Sequence, residues 1–287
     1  GLREARTVVQ STRKVTDGEL GELFGRIDAP SFDGRAYLDG YERIVTEFDV
    51  LQQPTSTRVL IITGDPIGAK MAGPAIRAWN MAQALAGQNE VRLLTLTGHD
   101  DLDAAFELVH VRPGELRKFA QHEAWADVIV FQGHALSAFP TLRETSKIVV
   151  ADIYDPMQLE QLEQARELAP ALWAEQVAEA TETLNDQLSV ADFFICASER
   201  QRVFYLGQLS AMGRLNTANY ADDPDFSKLI DVVPFGLERT EPVHERAVLK
   251  GVVPGIGVDD KVVLWSGGIY NWFDPRTLIR AMALLAE

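Results

Sequence analysis

From Arg58 onward, short apolar runs rich in β-branched and aromatic residues alternate with longer stretches of helical character. Strands that are buried on both faces of a parallel sheet appear in sequence as such short continuous apolar runs, separated by crossover helices. The alternation therefore predicts a doubly wound α/β domain with a Rossmann-like parallel sheet. The predicted strands are Arg58–Thr63, Glu90–Leu96, Glu107–Val111, Val128–Phe131, Lys147–Ala151, Phe193–Ala197 and Asp231–Val233.

Helical periodicity fills the intervals between these runs, and Pro170 interrupts a long acidic stretch. The predicted helices are Pro74–Ala86, Glu115–His122, Met157–Leu168, Ala171–Leu188 and Arg200–Met212. The acidic run from Glu160 to Glu182 is interpreted as a solvated helical face. Four leucines are expected to face the core on the opposite side, and they are Leu159, Leu162, Leu168 and Leu172.

Four segments differ in pattern along the chain. Residues 1–54 predict a helical N-terminal extension, and residues 55–240 predict the Rossmann-like domain. Residues 241–260 are polar with proline and glycine, which is typical of a linker. In residues 261–287, Lys261–Trp265 predicts a new strand and Asp274-Pro275 opens a helix. One βα step cannot bury its own sheet faces, so this last segment is expected to be the start of a truncated second domain.

Composition and charge exclude several classes of protein. The formal net charge of −15 argues against a duplex nucleic-acid partner, because such binding draws on lysine and arginine. The apolar runs are far shorter than the roughly 20 residues of a transmembrane helix, and Gly1 to Lys14 does not resemble a signal peptide. Cys196, the only cysteine, is expected to be buried and inert. A cytoplasmic protein is expected, with peripheral contact at the inner face of the membrane left open.

A glycine-bearing stretch, Gly64 to Trp79, connects the first predicted strand to the predicted helix that begins with proline at Pro74. A helix N-terminus with open backbone amides can face a phosphate at the carboxyl edge of a sheet. An ordinary strand-to-helix turn explains the glycines equally well. The loop matches neither G-x-G-x-x-G nor the G-K-[ST] ending of a P-loop, which excludes a dehydrogenase and a P-loop NTPase.

Polar side chains follow three other predicted strands, where side chains reach the ligand crevice of an open α/β sheet. His134 follows Val128–Phe131 and is the best histidine for a catalytic cleft. Asp152 is predicted to contact a ligand, and Asp155, before Pro156, to cap a helix. Ser198 is expected to cap the next helix, and Arg202 can meet a phosphate or a carboxylate.

The second segment repeats the strand, glycine and helix layout at Gly267-Gly268. These glycines can offer backbone donors to a diphosphate, and with the first loop they imply an anionic ligand between two domains. Trp272 and Phe273 can stack on a sugar or a base, although packing beneath the loop is an equal alternative. Tyr270, in the same loop, is predicted to contact the substrate in the cleft together with Trp272.

Four stretches in this order resemble the retaining family 4 type glycosyltransferases of GT-B fold, in which two Rossmann-like domains face each other across a cleft. They are Met71-Ala72-Gly73-Pro74-Ala75-Ile76-Arg77, Cys196-Ala197-Ser198-Glu199-Arg200-Gln201-Arg202, Val232-Val233-Pro234-Phe235-Gly236-Leu237, and Leu264-Trp265-Ser266-Gly267-Gly268 leading to Asp274-Pro275. The order of all four carries the resemblance, which spans Arg58 to Glu287.

The resemblance implies a nucleotide-diphosphate sugar bound mainly by the second domain and a glycan or small-molecule acceptor bound mainly by the first. It implies donor-diphosphate contacts for Gly68, Gly73, Gly267 and Gly268, and a catalytic role for His134 on the transferred sugar. Lys70 and Arg77 are then substrate contacts in the cleft, with Asp152 and Arg202. Backbone amides and cationic side chains would stabilise the leaving diphosphate, so neither a metal nor another cofactor is expected.

Two other functions remain open from the sequence. A GT-B sugar-nucleotide epimerase shares the two-domain cleft and needs carboxylates placed for proton transfer. A non-catalytic GT-B-like subunit would keep the fold, position another transferase and lack affinity for the donor. The donor-side catalytic residues of such families lie beyond residue 287, so the chain is expected to be inactive alone.

Overall fold

A computed structural model describes residues 56–236, 241, 243–271 and 273–285. The predicted helical extension, residues 1–54, lies outside the described residues, as does Trp272. The described residues form two compact units, one of residues 56–154 with 186–234, the other of residues 155–185 with those from 235 onward. The predicted boundaries at residues 240 and 260 stay predictions.

Seven parallel strands form one sheet in the first unit, in the spatial order β3-β2-β1-β4-β5-β6-β7. This confirms the predicted doubly wound, Rossmann-like α/β fold, and every predicted strand of that sheet is present within one residue at each end. The strands are β1 Arg58–Thr63, β2 Glu90–Thr95, β3 Glu107–His110, β4 Val128–Phe131, β5 Ile148–Asp152, β6 Phe193–Cys196 and β7 Ile230–Val232.

The strand order reverses between β1 and β4, which pair directly with Ile62 opposite Phe131. The chain leaves β1 toward β2 on one side and later returns to β4 on the other. In such a sheet the loops after the two central strands separate and leave a crevice at the carboxyl edge. The loop that begins at Gly64 and the loop that carries His134 both start at this switch point.

Helices occupy the intervals that the periodicity predicted, with boundaries shifted by up to four residues, and three short ones were not predicted. The helices are α1 Gly73–Ala86, α2 Leu116–Trp125, α3 Ala135–Ala138, a 3-10 turn Pro140–Arg143, α4 Met157–Gln164, α5 Pro170–Val190, α6 Glu199–Ala211, α7 Thr217–Asp222 and α8 Pro275–Leu285. Both α3 and α7 are a single turn or little more, too short to show a helical period in sequence.

Apolar side chains cover both faces of the sheet, as expected when helices lie on both sides of parallel strands. On one face, Val59 and Ile61 of β1 pack with Ala75, Ala78 and Ala82 of α1. The small alanines let the helix lie close to the strands. Alternate residues of β1 point to the opposite face and are equally buried. A parallel stack of Phe119 and Phe139, with ring centroids 3.9 Å apart, lies in the interior.

A predicted helix cap and a predicted strand are corrected by the structure. Asp155 was predicted to cap a helix, but the residue that caps α4 is Pro156, and the Asp155 carbonyl accepts a hydrogen bond from the Met157 amide. Lys261–Trp265 was predicted as a strand, and it is irregular and exposed. A strand needs a neighbour for its backbone groups, and no other strand is present in the described part of this unit.

Candidate active site at the carboxyl edge of the sheet

The loop after β1 is fixed against the loop after β2. The Thr95 hydroxyl donates to the Asp65 carbonyl at 2.7 Å, and the Thr97 hydroxyl donates to the Gly64 carbonyl at 3.1 Å. The Ile67 amide donates to the Gly98 carbonyl at 3.1 Å. Hydrogen bonds within the protein therefore hold this part of the glycine loop in a defined conformation.

Asp65 places its carboxyl group at the N-terminus of α1. The residue before that helix is Ala72, which has no side-chain oxygen, and the Ala75 amide instead hydrogen-bonds to the Asp65 carboxyl. Burial raises the pKa of Asp65, and the bond from the Ala75 amide opposes that rise. A half-buried carboxyl group thus occupies the helix end that the sequence suggested for a phosphate.

Asp100 brings a second carboxylate to the glycine loop. Its Oδ2 accepts a hydrogen bond from the Ala69 amide at 3.1 Å, and its own amide donates to the Ile67 carbonyl at 2.8 Å. A Cβ atom added to Gly68 would lie 2.3 Å from Asp100 Oδ2. Glycine at this position therefore gives room to the Asp100 carboxylate. Lys70, predicted as a substrate contact, is exposed on the same loop.

His134 lies where the sequence predicted it, just past the carboxyl end of β4. It is exposed and precedes α3, and its imidazole makes no hydrogen bond within the described residues. The turn before it requires the left-handed conformation of Gly133, with φ of 56°. The Gln187 side chain of α5, only 2% exposed, donates to the Gly133 carbonyl at 2.7 Å. Gln187 thereby holds the turn that presents the imidazole.

Arg77 and Asp152, both predicted to contact substrate, bind each other. Arg77 is 3% and Asp152 2% exposed, and three N–H···O contacts of 2.8 to 3.0 Å join the guanidinium to the carboxylate. Gln132 Nε2 also donates to Asp152 at 2.8 Å, and Arg77 donates to the Val233 carbonyl at 2.6 Å. Burial raises the pKa of Asp152, and the bonds from Arg77 and Gln132 oppose that rise. The network joins α1 to the ends of β4, β5 and β7.

The segment after β6 contains the predicted cap and a second arginine with internal partners. The Ser198 side chain accepts from the Gln201 amide at 3.3 Å, which confirms it as the N-cap of α6. Arg202 donates to the Ile230 carbonyl at 3.0 Å and also to the Asp225 carbonyl. Its guanidinium therefore holds the approach to β7.

In the second unit, the predicted glycine loop is shaped by aromatic side chains. Trp265 Nε1 donates to the Gly268 carbonyl at 3.0 Å, and a Cβ atom on Gly268 would lie 2.2 Å from the ring of Tyr270. Tyr270 also packs edge-on against Phe273, with centroids 5.5 Å apart. An apolar groove of about 430 Å³ lies between Gly267 and Met282 of α8.

Sequence reasoning missed three residues of the first unit that shape the edge, namely Asp65, Gln132 and Gln187. Gln132 directly follows β4 and Asp65 is the second residue after β1, and these positions were the available signal for both. Gln187 lies in a long helix, and its inward orientation follows only from tertiary packing. Of the predicted residues, Asp152 ends β5, and His134 and Lys70 lie in loops at the same edge of the sheet. Gly267, Gly268 and Tyr270 belong to the second unit.

Two absences concern the described residues alone. They contain no cluster of three histidine, cysteine, aspartate or glutamate side chains able to hold a metal ion. Among them there is also no helix of the length and apolarity that crossing a membrane requires.

No protein-family model and no curated protein matches this chain. Solved structures align with it at low identity. The C-terminal domain of the coenzyme A biosynthesis bifunctional protein CoaBC aligns at 14% identity over 49% of this chain and 76% of that one, with a TM-score of 0.32. TcCGT1 in complex with UDP aligns at 13% identity over 67% of this chain and 53% of that one, with a TM-score of 0.37.

A UDP-glucosyltransferase from Polygonum tinctorium capable of glucosylating indoxyl, solved with 3,4-dichloroaniline, aligns at 11% identity over 64% of this chain, with a TM-score of 0.36. The alignments span 53% and 52% of the lengths of TcCGT1 and this enzyme. At such identities and TM-scores, the alignments assign no function to this chain.

Proposed function

We propose that this chain belongs to a glycosyltransferase that uses a nucleotide-diphosphate sugar and transfers the sugar with retention, with the first unit on the acceptor side. The observation that carries the proposal is the β1/β4 switch point. There the fixed glycine loop follows β1 and the loop with the exposed His134 follows the adjacent β4, and the His134 imidazole has no hydrogen-bond partner among the residues that the structure describes. Crevices of this kind bind ligands in open α/β sheets. The order of the four sequence motifs supports glycosyl transfer over other activities of the same fold.

In this proposal, His134 contacts the transferred sugar and stabilises the charge that develops as the glycosidic bond breaks. The donor diphosphate is assigned to the second unit, with Gly267 and Gly268 as backbone donors and Tyr270 and Trp272 as contacts of the sugar or base. Arg77, Asp152 and Arg202 bond to other groups of the protein. We therefore propose that they hold the strand ends and loops of the carboxyl edge in place. Contact of the donor diphosphate with Gly68 and Gly73 stays a prediction. The carboxylates of Asp65 and Asp100 in the same region oppose it, because they would repel the phosphates.

Calorimetric titration of the complete protein with UDP-, GDP- and dTDP-glucose tests donor binding. Saturable binding of one of them supports the proposal and identifies the base. A folded protein that binds none contradicts the proposal and favours a non-catalytic subunit. The anomeric configuration of the product, read by NMR, tests retention separately.

His134→Ala tests the role of the imidazole. We expect transfer to fall about 100-fold or more, the range of a lost group that stabilises developing charge, while the donor Kd changes little. Steady-state transfer by wild-type and variant protein measures this, with His99→Ala as the control because His99 bonds only to the adjacent Asp100 carbonyl among the described residues. Equal rates for His134→Ala and the wild type would remove the imidazole from the reaction.

We also propose that transfer needs no metal ion. Activity is then expected to persist after dialysis against EDTA. Loss of activity on dialysis, with recovery on adding Mg²⁺ or Mn²⁺, would contradict this part of the proposal.

The position of Asp65 favours an epimerase as the second candidate, because a half-buried carboxyl group at the crevice suits proton transfer. Incubation of the bound nucleotide sugar without any acceptor separates the two activities. An epimerase converts the sugar under these conditions, whereas the transferase leaves it unchanged or hydrolyses it slowly.

A further inference from the structure

At the β1/β4 switch point, the carboxyl edge of the sheet contains two acceptor groups, the Asp65 carboxyl group and the Gln132 Oε1 atom. The Asp65 carboxyl group accepts one backbone amide and is half-buried. Gln132 is 2% exposed, and its Oε1 atom is buried with no hydrogen-bond donor in the described part of the chain. The Gln132 amide bonds to the Ile62 carbonyl at 3.0 Å, which fixes Gln132 beside the end of β1. A buried acceptor without a donor is costly, so a donor group belongs at this edge.

Two of the backbone amides that a phosphate could use in this loop already have partners. The Ala75 amide at the N-terminus of α1 bonds to the Asp65 carboxyl, and the Ala69 amide bonds to Asp100. The Arg77 guanidinium is buried against Asp152. A phosphate that bound either amide would have to displace the carboxylate already bonded to it, and the negative charges of the phosphate and the carboxylate would repel each other.

We propose that Asp65 makes this edge selective for a phosphate-free, hydroxyl-bearing acceptor and keeps the donor diphosphate away from the N-terminus of α1. This deepens the proposed glycosyl transfer and rests on it. A hydroxyl group can donate to a carboxylate, whereas an ionised diphosphate offers only acceptors. The Asp65 carboxylate binds the acceptor hydroxyl, and Asp100 keeps the neighbouring Gly68–Ala69 backbone closed to anions.

Amide NMR of complete protein labelled with ¹⁵N-glycine and ¹⁵N-alanine tests the exclusion directly, since Gly68, Ala69, Ala72, Gly73 and Ala75 all carry labels. The probe is inorganic pyrophosphate. We expect these five amides to be unperturbed in the wild type and to shift saturably in Asp65→Asn, with a stronger response when Asp100→Asn is added. Saturable shifts in the wild type, or no response in the double variant, would overturn the proposal.

Methyl α-D-glucopyranoside and glucose 1-phosphate form a matched pair of probes for the hydroxyl contact. We expect the neutral sugar at millimolar concentration to shift the Ala75 amide in the wild type, and the shift to be lost in Asp65→Asn. Glucose 1-phosphate should leave the wild-type amide unchanged. Equal responses of Ala75 to both sugars, or of both proteins to the neutral sugar, would contradict the proposal.

Glu107→Gln is the control, because it removes one carboxylate charge at the amino end of β3, where Glu107 pairs with Arg92 at 2.6 Å. It should behave like the wild type in both titrations. Failure of these titrations is distinct from failure of the proposed function, because calorimetry reports donor binding independently. A protein that binds UDP-glucose and also binds pyrophosphate at Ala75 would remain a transferase candidate and would lose the selectivity assigned to Asp65.

Discussion

Arg77 and Asp152 form a buried ion pair whose two members depend on each other. Removing one partner leaves the other charge buried and uncompensated, which costs about 3 to 5 kcal/mol in proteins. We therefore expect Arg77→Met to lower the free energy of unfolding by about that amount, measured by urea denaturation. Arg77→Met combined with Asp152→Leu should recover part of the loss. A single variant with the wild-type midpoint would show that the pair adds nothing to stability.

Asp65 should couple stability to pH in the direction opposite to a salt-bridged carboxylate. Because burial raises the pKa of Asp65, the folded protein holds this proton more tightly than the unfolded chain, whose value is about 3.9. Its contribution to stability therefore falls as pH rises from that value through the folded pKa. We expect Asp65→Asn to raise the Tm at pH 7 and to have less effect at pH 4. An equal change at both pH values would contradict this.

The sequence predicted which residues lie near strand ends, but it did not predict which groups those residues bond to. His134 is exposed at the end of β4, as its place in the sequence predicted. Arg77 and Asp152 were expected to face a ligand, yet they are separated by 75 positions in sequence and bond to each other. No local pattern reports such a pairing, because it depends on α1 packing across the sheet toward β5.

At the scale of elements, the left-handed turn at Gly133 connects β4 to His134. An L-residue in this conformation costs roughly 1 to 2 kcal/mol. Gly133→Ala should lower the free energy of unfolding by about that amount and should also reduce transfer, because the imidazole is displaced. Gly87→Ala is a suitable control, since Gly87 has φ of −67° and open space around its Cβ position. Equal stability for the two variants would contradict the strain assigned to Gly133.

The strands of the sheet were predictable because the central ones are short apolar runs buried on both faces, a signal that needs no knowledge of neighbours. Lys261–Trp265 has the same composition and forms no strand, since composition supplies propensity and not a partner for the backbone. The prediction that four leucines face a core was wrong for a related reason, since composition does not supply a packing partner either. They are Leu159, Leu162, Leu168 and Leu172. They were expected to face a core and are 39 to 48% exposed.

For the whole molecule, charge sets the expected partners. With a net charge of −15, the chain should repel the phosphates of duplex DNA. We expect no shift of a 30-base-pair duplex in a binding assay at about 0.15 M salt, where the Debye length is roughly 8 Å. A complex that weakens as salt increases would contradict this expectation and would indicate a local basic surface.

Cys196 ends β6 beneath the loops of the carboxyl edge, fully buried and in weak contact with the carbonyls of Ser198 and Asp231. Burial raises the pKa of this thiol, so little thiolate forms near neutral pH. Because it is the only cysteine, a thiol-specific dye reacts at one place in the chain. The labelling rate therefore reports how often the sheet opens between β6 and β7. A bound ligand that lowers this rate stabilises that edge.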